Sequence, residues 1–176
     1  EKNIQENPHD YLPYLYATRI SILLGAENPN SEYNDRALGY GFEALEISPA
    51  FVRAYYELGQ TYMNKRNFEK GLEYFRKAVD LNPNNGYSHW FLGMALLDAM
   101  YQTEGLMELE KAQFGVKNKH APTEREYLQL IGIYLEVKDF KKIVLIYETL
   151  MGASPKNAQY AASLATAYAQ VGRVDE

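Results

Sequence analysis

The sequence predicts an all-α protein built as an array of helical hairpins, and three observations predict it. Tyr55-x2-Leu58-Gly59-x2-Tyr62, Gly71-x3-Phe75-x2-Ala78 and Pro83 are echoed 34 residues later by His89-x2-Leu92-Gly93-x2-Leu96 and Gly105-x3-Leu109-x2-Ala112. Prolines punctuate the chain near multiples of that period, Pro8, Pro49, Pro83 and Pro155 standing 41, 34 and 72 residues apart. Between them apolar residues recur three and four apart, the spacing of one helix face. A fixed period of roughly 20–50 residues marks a stack in which each unit is one supersecondary motif and neighbours share a continuous core.

The elements follow in order. Lys2-Asn3-Ile4-Gln5-Glu6-Asn7-Pro8 reads as the last turn of a helix. Pro13 then falls in the opening turn of the next helix, behind Asp10, where a missing N–H is tolerated. The first proline gap exceeds one period by seven residues, which fits a long turn over Glu27-Asn28-Pro29-Asn30-Ser31-Glu32-Tyr33. In the second unit a helix over 52–65 presents Tyr55, Leu58, Gly59 and Tyr62 on one face. Asn67 caps its partner, whose inward stripe is Phe68, Leu72, Phe75, Ala78 and Val79. Gly59 and Gly71 stand where a side chain would hold the hairpin apart. Glycine inside a helix costs about 1 kcal/mol against alanine, so close helix contact must offset it. Ala44, Ala78 and Ala112 recur near the ends of the second helices for the same reason.

The last proline gap exceeds two periods by four residues, which fits an inserted loop, Lys117-Asn118-Lys119-His120. Extra residues at a turn add little chain entropy. In the fourth unit Thr123-x2-Glu126 is a capping-box start and Asp139 caps the second helix. Ala161, Leu164, Ala165 and Tyr168 form a fifth first helix, whose partner would begin at Val174-Asp175-Glu176. Arrays normally end in caps with a polar outer face, and neither end reads as one. The chain therefore reads as a piece of one longer array, with units at 11–51, 52–85, 86–123, 124–157 and a partial 158–176. The uncovered face of Leu164 and Tyr168 is expected to support a weak homodimer.

Composition bounds the function. With 176 residues, 47% hydrophobic and 23% charged, the chain buries a sizeable core. A net charge of −5 argues against nucleic acid as partner. There is no cysteine, hence no thiolate site or disulfide framework. No apolar run is long enough to insert directly in a membrane. His9 and His120 fall in turns and are expected to be solvated, and His89 is expected to be a packed imidazole. No histidine pairs at metal-ligand spacing, so no metal or other cofactor is expected. Without a phosphate loop or a nucleophile elbow, and with Glu43, Glu46, Glu57, Glu69 and Glu73 on faces expected to be wet, no enzyme activity is expected.

The repeated pattern resembles the tetratricopeptide repeat (TPR) family, most specifically in the second and third units. In the first, Tyr14, Ala17 and Thr18 stand where the aromatic, leucine and glycine would be. The resemblance implies a right-handed superhelix, an α-solenoid of antiparallel helix pairs. It also implies a non-catalytic scaffold that holds a partner's peptide or helix in a concave groove lined by the first helices. In this register the groove residues are Leu15, Arg19 and Ile22, then Arg53, Tyr56, Gln60 and Met63, then Tyr87, Trp90, Met94 and Leu97. Arg125, Leu128 and Leu135 follow. Aromatic anchors carry interface energy, which makes Trp90 and Tyr56 the expected centre. Arg53 and Arg125 would favour acidic groups on the ligand. The clamp by which one TPR subclass holds acidic chaperone tails is not matched, since those positions read Leu15, Arg19, Glu57, Tyr87 and Phe91. Ile47-Ser48-Pro49, Tyr56-Glu57-Leu58 and Ser88-His89-Trp90-Phe91-Leu92-Gly93 are similar to TPR tails of bacterial O-antigen ligase or polymerase proteins. A bacterial scaffold is the first expectation, with such a tail or a self-assembly module as alternatives. The compartment, cytoplasmic or periplasmic, stays open.

Overall fold

Helices α1 (Lys2–Glu6), α2 (Tyr11–Gly25), α3 (Glu32–Ile47), α4 (Val52–Asn64), α5 (Phe68–Leu81) and α6 (Gly86–Asp98) open the chain. They are followed by α7 (Gln102–Glu110), α8 (Glu124–Glu136), α9 (Phe140–Ala153) and α10 (Ala158–Val171). This computed structural model describes residues 2–6 and 8–172. Asn7 and the expected helix start at Val174-Asp175-Glu176 lie outside them. Among the described residues there is no strand, and the all-α hairpin class is the one the periodicity predicts. Contacts divide the chain into two compact units, Glu1–His120 and Ala121–Glu176. The first holds the hairpins α2/α3, α4/α5 and α6/α7; the second holds α8/α9 with α10 packed on α9.

The helix starts are chemically explicit. Asp10, Asn67 and Asp139 each accept a hydrogen bond from a backbone N–H of the first turn they cap. Thr123 and Glu126 form the reciprocal capping box. The long first turn is held from inside by Asn34, whose buried amide donates to the carbonyls of Gly25 and Asn28 at 3.1 and 3.0 Å. The turns of the α4/α5, α6/α7 and α8/α9 hairpins share one device. Arg66, Met100 and Lys138 take φ of +60°, +67° and +57°. In each turn the next residue donates its N–H back five residues, to Tyr62, Leu96 or Tyr134, at 2.8–2.9 Å. This is the six-to-one closure that satisfies a helix C-terminus.

The small residues act as expected. A Cβ on Gly71 would stand 3.3 Å from the Gly59 carbonyl oxygen, and one on Gly59 would stand 3.0 Å from the Phe75 ring. Ala44, Ala78 and Ala112 are fully buried. Met63, Leu72, Phe75, Leu92, Ala95 and Leu96 form a core between the second and third hairpins, while Ala44 packs with Leu15 and Ala54 in a separate cluster.

The inserted loop corrects one expectation. α7 passes into a π-helical turn, Lys111–Gly115, and the chain then returns against the turn that precedes α6. Gly86 donates to Asn118 at 2.7 Å, Asn118 to Asn84 at 3.0 Å, and His120 to the Ala112 carbonyl at 2.8 Å. His120 is therefore buried rather than solvated, while His9 is exposed. The His120 ring lies 4.6 Å from that of Trp90 and edge-on to Tyr87 at 4.8 Å.

Candidate binding groove

Helix α4 sets its Tyr56, Glu57 and Gln60 beside Arg19 of α2 on one side and Tyr87 and Phe91 of α6 on the other. Together with Arg53 these residues line a cavity of about 340 Å³ in the first unit. Its floor is electrostatic. Glu57, expected on a wet face, has a side chain only 4% exposed. Its carboxylate accepts from Arg19 Nη1 at 3.2 Å and sits 3.7 Å from Arg53 Nε. The two guanidinium groups remain about half exposed, at 48% and 53%. Two cations share one anion, so the mouth of the cavity carries a net positive charge, presented by planar forks suited to carboxylate or phosphate.

The walls are aromatic. The Phe91 ring lies 5.0 Å from that of Tyr56 and 5.1 Å from that of Tyr87. The Tyr56 hydroxyl is fixed by a 2.6 Å hydrogen bond with Ser88 Oγ and a weaker donation from Asn85. Burial raises the phenol's pKa above its ordinary value, outweighing the Ser88 bond, so Tyr56 stays neutral. Gln60 donates to Asn64 at 3.2 Å, and Asn64 donates to the Ile22 carbonyl at 3.1 Å. This amide chain ties the edge of the cavity to the end of α2.

Of the residues expected in the groove, Arg19, Arg53, Tyr56, Gln60 and Tyr87 converge here. Five others are corrected. Trp90 is only 4% exposed, covered by the inserted loop and the His120 ring. Met63 is buried in the core beneath Gly71. Leu97 packs toward Gly105 inside the third hairpin. Leu15 and Ile22 are likewise buried. Met94 is half-buried, and Arg125 and Leu128 lie exposed on α8 of the second unit. The sequence reading missed Phe91 as a wall and Glu57 as the floor. The signal was present: Glu57 occupies a face whose neighbours, Thr61 and Leu58, belong to the interior.

His89 is packed, as expected, but it has a partner the spacing did not disclose. Its Nδ1 lies 2.5 Å from Glu108 and its Nε2 3.0 Å from the Pro83 carbonyl. Burial alone would raise the Glu108 pKa; the hydrogen bonds from His89 and Lys111 hold it below the ordinary value.

A hairpin array with a charged, ring-walled hollow between successive first helices defines a helical-repeat fold. Residues 52–85 match the sequence model of the tetratricopeptide repeat, and the all-α hairpin fold is shared with solved TPR structures. YrrB, a TPR protein with an unusual peptide-binding site, superposes with a TM-score of 0.60 at 22% identity, over 99% of this chain and 84% of that one. TTC0263, a thermophilic TPR protein of Thermus thermophilus, superposes with a TM-score of 0.69 at 18% identity, over 96% and 86%. Among curated proteins, the Protein CTR9 homolog of Arabidopsis thaliana is 28% identical over 86% of this chain and 13% of its own length. Serine/threonine-protein phosphatase T of Trypanosoma brucei brucei is 34% identical over 42% of this chain and 14% of its own. The chain thus spans about one seventh of either relative. None of these is an O-antigen ligase or polymerase, and that resemblance finds no support. TPR proteins generally mediate protein–protein interactions. No helix among the described residues is long and apolar enough to cross a membrane.

Proposed function

We propose that this chain is a non-catalytic interaction scaffold that holds a partner's peptide segment in the groove formed by α2, α4 and α6. One observation carries the reading: Arg19 and Arg53 converge on the buried Glu57 carboxylate at the floor of a hollow walled by Tyr56, Tyr87 and Phe91. Such a site suits a segment with an acidic group for the guanidinium forks and an apolar side chain for the rings. The buried carboxylate places the forks before ligand arrives, which lowers the ordering cost of binding. Affinity in the micromolar range corresponds to about −8 kcal/mol.

The test is selection of displayed peptides on the wild-type chain, followed by binding measurements on Arg19→Ala and Arg53→Ala. Enriched peptides are expected to carry aspartate or glutamate beside an aromatic or branched aliphatic residue. Each arginine variant should weaken binding about tenfold and reduce its salt dependence. Selected peptides that bind the double variant as tightly as the wild type would place the interaction elsewhere.

A further inference from the structure

The second unit holds an open apolar pocket of about 190 Å³ between α8, α9 and α10. Its walls include Leu135, Phe140 and Tyr147, with Ser163, Thr166 and Gln170 of α10 at its rim. The repeat explains why it exists. The junction between α4, α5 and α6 lies 72 residues earlier, the separation of Pro83 and Pro155. There, Met63, Phe68 and Phe75 occupy the places of Leu135, Phe140 and Tyr147. In that junction the space is filled by the protein's own Phe91, whose ring stacks on Phe75 at 6.1 Å and 4°. The residue equivalent to Phe91 is Ser163. At this junction apolar walls remain, with Ile131 and Ile143 standing in place of Gly59 and Gly71, and the ring itself is missing.

We infer that this pocket is a binding site for an aromatic side chain supplied by a partner protein, which takes the place that Phe91 fills in the first unit. The volume agrees, since an apolar cavity of ~150 Å³ lined by Leu, Ile and Phe takes up benzene. The walls agree too, because Tyr147 lies where Phe75 stacks on Phe91. The pocket is open at its rim: Leu135 is exposed, and the serine, threonine and glutamine there offer hydrogen bonds to the main chain on either side of an inserted ring. The inference stands on the second unit alone and does not depend on the groove of the first.

The test uses the 176-residue chain and two small probes, N-acetyl-phenylalaninamide and N-acetyl-alaninamide. The δ1-methyl NMR signals of Ile131 and Ile143, both on the pocket wall, report occupancy. The phenylalanine probe should shift both signals saturably, with a dissociation constant on the order of 1 mM for a ligand of its size. The alanine probe should shift neither. Ser163→Phe should fill the pocket from within, raise the melting temperature and weaken the phenylalanine probe at least tenfold. Ser163→Leu should weaken it similarly, so the result does not hang on one variant's folding. Absence of a saturable shift in the wild type, equal response to both probes, or undiminished binding in the folded serine variants would overturn the inference.

Discussion

The Glu57 carboxylate holds two guanidiniums from different helices, and its replacement tests how the groove is organised. Glu57→Gln keeps the shape but removes the charge that draws Arg19 and Arg53 together. A loss of about 1–3 kcal/mol, typical of a hydrogen bond to a charged group, should appear in denaturant unfolding. Trp90 acts through packing rather than through a ligand. Trp90→Ala should cost about 3–5 kcal/mol of stability, with any loss of peptide binding tracking the unfolded fraction. Glu108 gives a pH signature. Its folded-state pKa lies below the ordinary 4.5, so the unfolded chain binds the proton more readily. The stabilisation is complete above that value and is lost as the pH falls through the lower, folded-state pKa. Glu108→Gln should flatten the acid limb of the stability–pH curve; an unchanged limb would show that the His89 pair contributes nothing there.

At the level of the helix, the three left-handed turn residues are non-glycine in a conformation that disfavours a Cβ. Met100→Gly and Lys138→Gly should each stabilise by about 0.5–1 kcal/mol. α7 lacks the side-chain cap that Asn67 and Asp139 give to α5 and α9, because Tyr101 stands in that place. Tyr101→Asn should add about 1 kcal/mol, measured as a shift in melting temperature. The caps at Asn67, Asp139 and Thr123 and the close contact of Gly59 with Gly71 were legible in the sequence because each is written within one hairpin, close to where it acts. Glu57 was misread because its partner Arg19 is 38 residues away and on another hairpin. The same holds for His120, whose loop was counted correctly as an insertion. Counting residues between helices gave no hint that the loop would pair with the turn before α6, or cover Trp90.

For the whole chain, stability in such arrays is a sum of units and their nearest-neighbour contacts. Amide exchange should be slowest in α4–α6, which have a hairpin or helix on each side, and faster in α10. Uniform protection would contradict this. α2 presents a stripe to solvent, with Tyr16 and Ile20 each 59% exposed and Leu23 66%. One unit later the equivalent Glu57, Thr61 and Asn64 are buried or half-buried. A patch of this kind promotes association. Ile20→Lys with Leu23→Lys should lower concentration-dependent light scattering while leaving the melting temperature nearly unchanged.

The loop that covers Trp90 also makes the protein its own spectroscopic gauge. The sequence contains one tryptophan, and its indole faces the His120 ring. Emission therefore comes from a single known address, at the seam where the inserted loop meets the third hairpin. If the loop lifts before the helices melt, the spectrum should move to the red ahead of the circular-dichroism transition. A gap between the two curves would measure the free energy of undocking the loop without any added label.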